Sequence, residues 1–296
     1  MTDLSPLAAL SHAIAATARQ AAPLVAAIGW GGRQHVSGVL WRAGALVTSE
    51  QSLPDADAYT ATLPGGTRTG AALAGRDRAT NVAVLRLQAD APGVAQAEPR
   101  GVGELVLALG SDGAGETTVR LGAIEALGAP WESMRGGRID RLIRLGLRLG
   151  QPAEGGPVID AEGRLLGMST FGPRRGVLVI PASTIARVLD TLLETGRIAR
   201  GWLGVGLHPV ALPREVAERS GAAAGLMVVN LAEGAPAAGV LLPGDILLEI
   251  DGKPVTAPRA VAAALGPERI GQPVSLKLVR GGELATLAVT VAARPA

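Results

Sequence analysis

Residues 152–170 read PAEGGPVIDAEGRLLGMST: a Gly-Gly-Pro loop followed by two short apolar runs with a turn between them. Glycine and proline mark turns, and short apolar runs between such residues are typical of β-strands. The stretch therefore predicts a β-hairpin that starts directly after a tight loop.

The same pattern extends over residues 23–182, where about ten short runs alternate with glycine and proline. The runs are LVAAIGW, HVSGVLW, GALVTS, YTATL, VAVLRLQ, ELVLALG, TTVRLGAIEALG, RLIRLGL, RLLGMST and GVLVIP. Strands at this spacing favour a sandwich or barrels. Helical patterns flank the region at 5–21 and at 182–198, and the second helix is expected to end at Gly196.

A second β-rich region begins near residue 201. It predicts a first strand over 202–209 and four later strands, in GLMVVNL, ILLEIDG, PVSLKLVR and LATLAVTVA. A turn and helix are expected in EGAPAAGVLLPGD, and a helix in PRAVAAALG.

Composition limits the functions available to the chain of 296 residues. There is no cysteine, so a disulfide, a thiolate nucleophile and a Cys-based metal site are excluded. No His, Asp and Glu cluster has ligand spacing, so neither a metal nor another cofactor is expected. The net charge is +2 and the arginines are scattered, which argues against nucleic-acid binding.

The apolar stretch 13–30 is interrupted by Arg19, Gln20 and Pro23, so no membrane span is expected. The N-terminus lacks the basic start of a signal peptide. As written, the chain is expected in the cytoplasm, and the periplasm is the alternative if a leader peptide precedes it.

Several stretches resemble the HtrA/DegP family of trypsin-like serine proteases. SGVLWRAGALVTSEQSL is similar to the strand pair that leads to the family's catalytic histidine, and GRDRATNVAVLRL to the segment that carries its aspartate. Residues 152–170 resemble its nucleophile loop, and GVLVIPAS resembles the strand before its inter-domain helix. GWLGV and AAGVLLPGDILLEIDGKPV resemble its PDZ domain.

The resemblance implies an all-β dominated chain, a chymotrypsin-like double β-barrel followed by a PDZ domain. The expected parts are an N-terminal helix over 1–22, the barrels over 23–182, a linker helix over 183–200 and the PDZ domain over 201–296.

The family's catalytic positions hold other residues in this chain. By the resemblance, Glu154 stands at the nucleophilic serine, Gln51 at the general-base histidine and Asn81 at the orienting aspartate. Glutamine does not titrate and cannot activate a hydroxyl group. The three histidines are elsewhere, at His12, His35 and His208, and both lysines lie in the PDZ region, at Lys253 and Lys277.

The oxyanion loop is altered as well. Pro152 and Ala153 precede Glu154, and the resemblance gives residues 152 and 154 the two backbone N–H groups of the oxyanion hole. Proline has no N–H to donate. These changes predict a degenerate site and a pseudoprotease. Acid–base hydrolysis by Glu50 with Glu154 is an alternative chemistry, and an active HtrA-family serine endopeptidase in protein quality control is the alternative function.

The PDZ region retains more of its pattern. Trp202, Leu203, Gly204 and Val205 match the family's carboxylate-binding loop, and residues 205–209 would pair with a peptide by β-augmentation. The facing helix offers candidates for the pocket of the last apolar side chain, or else ordinary core residues, at Val261 and Leu265.

These features predict a scaffold or adaptor that binds peptides or unfolded proteins with apolar C-termini. An active protease paralogue and further copies of the chain are the other partners that stay open. The family's trimer-forming N-terminal aromatics are not evident in the first helix, so the sequence does not decide between them.

Overall fold

A computed structural model describes residues 5–93, 95–173 and 176–295. The chain divides into two compact units, Met1–Ser133 with Arg138–Ile198 and Met134–Gly137 with Ala199–Ala296. Each unit has hydrophobic cores of its own.

The first unit contains two closed six-stranded antiparallel barrels. The first barrel has the strand order β1-β2-β3-β6-β5-β4 and is built from β1 (Val25–Gly29), β2 (His35–Arg42), β3 (Ala45–Ser49), β4 (Tyr59–Thr62), β5 (Arg68–Asp77) and β6 (Val82–Leu87). Strands β9 (Trp131–Glu132) and β10 (Arg138–Ile139) form a separate two-stranded sheet. In the sequence, they lie within the region that forms the second barrel. The second barrel has the order β11-β14-β13-β12-β7-β8 and is built from β7 (Leu105–Ser111), β8 (Thr117–Gly128), β11 (Leu142–Leu145), β12 (Pro157–Asp160), β13 (Leu165–Phe171) and β14 (Val177–Pro181).

Aliphatic side chains fill the barrels, because aromatic residues make up only 2% of the chain. Each barrel has its own core, and a third cluster joins the two. That cluster contains Val47 and Val84 of the first barrel, and Leu109 and Met168 of the second. The shared core holds the ends of β3 and β13 at the junction where the candidate site lies.

Two helices flank the barrels, as the sequence predicts. Helix α1 (Pro6–Ala21) starts after Ser5, whose side chain accepts a hydrogen bond from Ala8 N at 3.3 Å. Helix α2 (Ala182–Thr195) ends at Gly196, which has φ 76°, so the predicted C-cap is confirmed.

The second unit is a β-rich domain with two short helices. Its main sheet has the order β16-β17-β18-β20-β21, with β19 paired to β18, and a separate pair is formed by β15 and β22. The elements are β15 (Gly201–Trp202), β16 (Val205–Ala211), α3 (Arg214–Ser220), β17 (Ala224–Leu231), β18 (Ile246–Ile250), β19 (Lys253–Pro254), α4 (Pro258–Ala264), β20 (Pro273–Arg280), β21 (Glu283–Thr290) and β22 (Ala292–Ala293). The predicted fold class, a double barrel followed by a small β-rich domain, is confirmed.

One local expectation in this unit is wrong, and one helix was not expected. The segment 233–245 forms turns and no helix. Gly239 adopts φ 80°, a left-handed conformation that interrupts a right-handed helix. Helix α3 was not expected from the sequence, since its seven residues carry only a short apolar pattern.

The turn before β18 is fixed by the carboxyl group of Asp245, which is 2% exposed. Its Oδ2 accepts from Leu242 N at 2.8 Å and from Arg280 Nη2 at 2.6 Å, and its Oδ1 accepts from Arg280 Nε at 2.8 Å. The hydrogen bonds from Arg280 lower the pKa of the Asp245 carboxyl group. The buried carboxyl group therefore ties this turn to Arg280 of β20.

Candidate functional site

Glu154 lies at the junction of the two barrels, in a loop packed against both. A 3₁₀ turn (Gln151–Ala153) precedes it and β12 follows it. Gly155 has φ 88°, and a Cβ atom there would collide with Thr48 and with the carbonyl oxygen of Ser37. A Cβ atom on Gly156 would collide with the carbonyl oxygen of Leu109. The two glycines therefore allow the loop to approach the backbones of both barrels.

The side chain of Glu154 points inward and is 3% exposed. Its Oε1 accepts from Gln51 Nε2 at 2.7 Å and from Ser49 Oγ at 3.1 Å, both at the end of the first barrel's β3. The same oxygen accepts from Thr170 Oγ1 at 2.9 Å and from Phe171 N at 3.1 Å, both in the second barrel's β13. One carboxyl oxygen thus joins the two barrels through four hydrogen bonds.

Asn81 joins this network through the hydroxyl groups of Ser49 and Thr170. It adopts φ 59°, a left-handed conformation that asparagine tolerates better than most residues. Its Nδ2 donates to Thr170 Oγ1 at 2.7 Å and to Ser49 Oγ at 3.1 Å, and its Oδ1 accepts from the backbone N of Gln51 at 2.8 Å. The structure therefore brings Gln51, Asn81 and Glu154 together, with two hydroxyl groups between Asn81 and the carboxyl group.

The roles of Ser49 and Thr170, which supply these two hydroxyl groups, were not predicted from the sequence. Ser49 and Thr170 are both buried, with 0% and 3% exposure. Ser49 is the last residue of β3, shortly before Gln51, and Thr170 lies near the end of β13. Nothing in the sequence marks either hydroxyl group as a partner of Glu154.

The backbone amides of the loop are engaged within the fold. Glu154 N donates to the carbonyl oxygen of Gln151 at 3.1 Å, and Ala153 N donates to that of Gly150 at 3.0 Å. Gly155 N donates to the carbonyl oxygen of Ser169 at 2.9 Å. Since Pro152 has no N–H, the described loop presents no free amide at residues 152–155 to a developing oxyanion.

His35 is another polar residue near the junction, and it has hydrogen-bond partners of its own. His35 starts β2, and its Nε2 lies 3.2 Å from the carbonyl oxygen of Ser111. It lines an open cleft of ≈ 470 Å³ together with Gln51 and Pro152. In the described structure, both ring nitrogens of His35 face carbonyl oxygens and neither bonds to a hydroxyl group.

Glu50 and Glu154 do not form the carboxylate pair that acid–base hydrolysis would need. Glu50 is 6% exposed, and its Oε1 accepts from Arg78 Nε at 3.2 Å and lies 3.6 Å from Arg76 Nη1. Glu154 has none of these partners. Across the described ranges, no group of three His, Cys, Asp or Glu side chains could hold a metal ion.

A second candidate site lies within the β-rich domain, where all six predicted peptide-binding residues line one groove of ≈ 200 Å³. The residues are Trp202, Leu203, Gly204, Val205, Val261 and Leu265. Leu203, Val261 and Leu265 also belong to the domain core, so they have a structural role beside any role in binding. Strand β16 forms one wall and helix α4 the other.

The loop at the closed end of the groove has free donors. Gly204 adopts φ 75°, and no described residue accepts a hydrogen bond from the backbone amides of Leu203 and Gly204. Two such amides beside an apolar groove suit a carboxylate ligand.

Comparison with known proteins relates both units to described domains. Residues 36–168 match the family described as "Trypsin-like peptidase domain", and residues 201–291 match the family described as "PDZ domain". The chain is 31% identical over 266 residues to a "Probable periplasmic serine endoprotease DegP-like" of Rhizobium meliloti (strain 1021), covering 85% of this chain and 52% of that protein. It is 32% identical over 286 residues to a protein of the same name from Pseudomonas fulva (strain 12-X), covering 90% of this chain and 59% of that protein.

The chain thus spans somewhat over half the length of these curated relatives. Their names place them in the periplasm, which fits the alternative location and gives no support to the cytoplasm. Within the described residues, no helix combines the length and apolar character needed to cross a membrane.

A solved structure matches nearly the whole chain. The structure titled "HtrA-type protease AlgW with tripeptide" is 30% identical, has a TM-score of 0.73, and is matched over 95% of this chain and 97% of that chain. Fold, domain order and sequence therefore agree: the chain belongs to the family of HtrA-type proteases, with a trypsin-like peptidase domain followed by a PDZ domain.

Proposed function

We propose that this HtrA-family chain is catalytically inactive and acts as a scaffold or adaptor that binds peptides or protein C-termini through its PDZ domain. The observation that carries the proposal is the buried carboxyl group of Glu154 at the position of the nucleophile, hydrogen-bonded to Gln51 at 2.7 Å. A serine protease needs a hydroxyl nucleophile and a base that takes its proton. Neither group is present at these positions.

The side chain of Gln51 acts as a donor in this network. Its Nε2 donates to Glu154 Oε1 and, at 2.9 Å each, to Thr170 Oγ1 and to the carbonyl oxygen of Phe171. A neutral amide cannot accept and release a proton at ordinary pH. The hydroxyl groups of Ser49 and Thr170 donate to Glu154 Oε1, but both are buried, with 0% and 3% exposure, and so are closed to a peptide substrate.

The oxyanion loop supports the same conclusion independently. Pro152 supplies no N–H, and the N–H of Glu154 already donates to Gln151. Losing one oxyanion donor lowers catalysis by about 10²–10³-fold. The loop would have to rearrange, in addition to any change at the triad positions, before it could stabilise a tetrahedral intermediate.

The alternative is an active serine endopeptidase, and the names of the curated relatives favour it. It requires a nucleophile and a base outside the positions that the family uses. Restoring the family's residues at the triad positions and at residue 152 distinguishes the active protease from the inactive one.

Peptide binding is supported by the groove and by the family. The amides of Leu203 and Gly204 are free beside the apolar side chains of Val261 and Leu265. A similar HtrA-type protease has been solved with a tripeptide. We propose unfolded proteins and apolar C-termini as partners, in the periplasm that the relatives' names indicate, with an active paralogue or further copies of the chain as candidate assembly partners.

If Glu154 serves the structure, its removal should destabilise the first unit. Glu154→Ala leaves four donors without their shared acceptor, and we expect the free energy of unfolding to fall by about 2–4 kcal/mol. Denaturant unfolding monitored by tryptophan fluorescence measures the change. Glu194→Ala, at an exposed glutamate, is the control and should stay within about 0.5 kcal/mol of the unaltered protein. Equal stability of the two variants would contradict a structural role for Glu154.

Reverting the triad positions alone should not restore proteolysis. Gln51→His, Asn81→Asp and Glu154→Ser together rebuild nucleophile, base and orienting group but leave Pro152 in place. Adding Pro152→Gly should raise casein turnover by about 10²-fold or more over the triple variant, because it returns one oxyanion donor. Pro152→Gly alone is the control and should remain inactive. Strong activity in the triple variant, or in the unaltered protein, would contradict the proposal.

The PDZ domain should require a free C-terminal carboxylate. Peptides with an apolar last residue should bind, and amidation should weaken their binding by at least about tenfold, because the loop amides lose a charged acceptor. Gly204→Ala should have a similar effect, since a Cβ atom there collides with Ala235. Gly221→Ala is the matched control, because Gly221 also has a positive φ but open space around its Cβ position. Isothermal calorimetry that finds amidated and free peptides equivalent would remove the carboxylate assignment.

A further inference from the structure

Strand β16 forms one edge of the PDZ sheet and contains Pro209. Among the described strands, β16 pairs only with β17. A peptide that enters the groove by β-augmentation pairs with this edge. The donors and acceptors along it therefore decide how much of the peptide the domain can hold.

Two hydrogen bonds establish which residues of β16 face the free edge. The carbonyl oxygen of Gly204 accepts from Ala232 N at 2.8 Å, and Leu212 N donates to the carbonyl oxygen of Ala223 at 2.9 Å. Both residues thus face β17. Because the backbone groups of a strand alternate in direction, the even-numbered residues between them face β17 as well. The odd-numbered residues, from 205 to 211, face outward.

An irregularity in the ladder does not change this alternation. Gly206 pairs with Asn230 and Leu207 pairs with Val228, so the unpaired residue is Val229 on β17. The bulge therefore belongs to β17, and β16 keeps its regular period of two. The outward position of Pro209 also agrees with the rule that a proline in a sheet turns its nitrogen toward a free edge.

This pattern limits the ladder available to a peptide. A peptide whose carboxylate lies at the Leu203 and Gly204 amides pairs its last residue with Val205 and its third residue from the end with Leu207. The fifth residue from the end then meets Pro209, which offers a carbonyl oxygen but no N–H. The proline ring also occupies the place where that N–H would stand, so the peptide carbonyl group cannot approach.

The opposite wall of the groove has a matching length. Helix α4 has seven residues, which corresponds to about 10 Å at 1.5 Å per residue. An extended chain covers about 10 Å in three steps, which is the distance from its first to its fourth residue. On β16, the residues that line the groove are Val205 and Leu207, and the lining stops before Pro209.

We infer that Pro209 sets the specificity of the PDZ groove for the last four residues of a ligand, by ending the β-ladder at the fifth residue from the C-terminus. The inference rests on the proposed peptide-binding function and adds the length of ligand that is read. The same proline would also hinder edge-to-edge pairing between copies of the domain.

A peptide-length series on the full chain tests the inference. N-acetylated peptides of three, four, six and ten residues, with an alanine body and a C-terminal valine, are titrated by isothermal calorimetry. For the unaltered protein, the dissociation constants of the peptides of four, six and ten residues should agree within about twofold. The ten-residue peptide should bind Pro209→Ala about three- to tenfold more tightly than it binds the unaltered protein, because one edge N–H is restored; the three-residue peptide, which has no carbonyl group opposite residue 209, should bind both proteins equally.

His208→Ala is the matched control, since it changes the adjacent side chain and leaves Pro209 in place; its affinity should not depend on peptide length. Tightening of more than about fivefold between four and ten residues in the unaltered protein would overturn the inference while supporting the groove itself. A folded Pro209→Ala variant that binds the ten-residue peptide no more tightly than the unaltered protein does would also overturn it. Binding of no peptide at any length would overturn the proposed peptide-binding function. If Pro209→Ala does not fold, the series on the unaltered protein decides.

Discussion

The carboxyl group of Glu154 is the constraint on which the barrel junction depends. A side chain that is 3% exposed must have its polar atoms satisfied within the protein, and Oε1 is satisfied by Ser49, Gln51, Thr170 and Phe171. Two of these donors belong to each barrel. The carboxyl group therefore acts as a polar link between two barrels that also share a hydrophobic core.

The scaffold explains why such a link forms at this position. Gly155 and Gly156 let the loop approach both barrels, and the shared core brings the ends of β3 and β13 together. In a protease this geometry assembles a nucleophile with its base. Here we propose that the same convergence assembles a network of hydrogen bonds, and that function has moved to the PDZ domain, which has a core of its own.

Much of this organisation could be predicted from the sequence, because turn residues and short apolar runs fix the order of strands. Gly155-Gly156-Pro157 fixed the register of the loop at Glu154, and the resemblance of two other stretches to the HtrA/DegP family pointed to Gln51 and Asn81. The contributions of Ser49 and Thr170 could not be predicted, since a hydroxyl group in a strand carries no sign of its cross-barrel partner. The expected helix at 233–245 was wrong because its apolar residues outweighed the signal of Gly239. Strand β5 was missed because its alanines and glycines have low strand propensity.

We propose that no serine hydroxyl of this chain is activated for attack. This proposal is tested most directly by incubating the unaltered protein with a fluorophosphonate probe, beside an active HtrA-type protease, and measuring the intact masses. A fluorophosphonate reacts with a serine whose proton is taken by a base. We expect an unchanged mass for this protein while the active protease gains one adduct. A stoichiometric adduct on a serine of this chain would contradict the proposal.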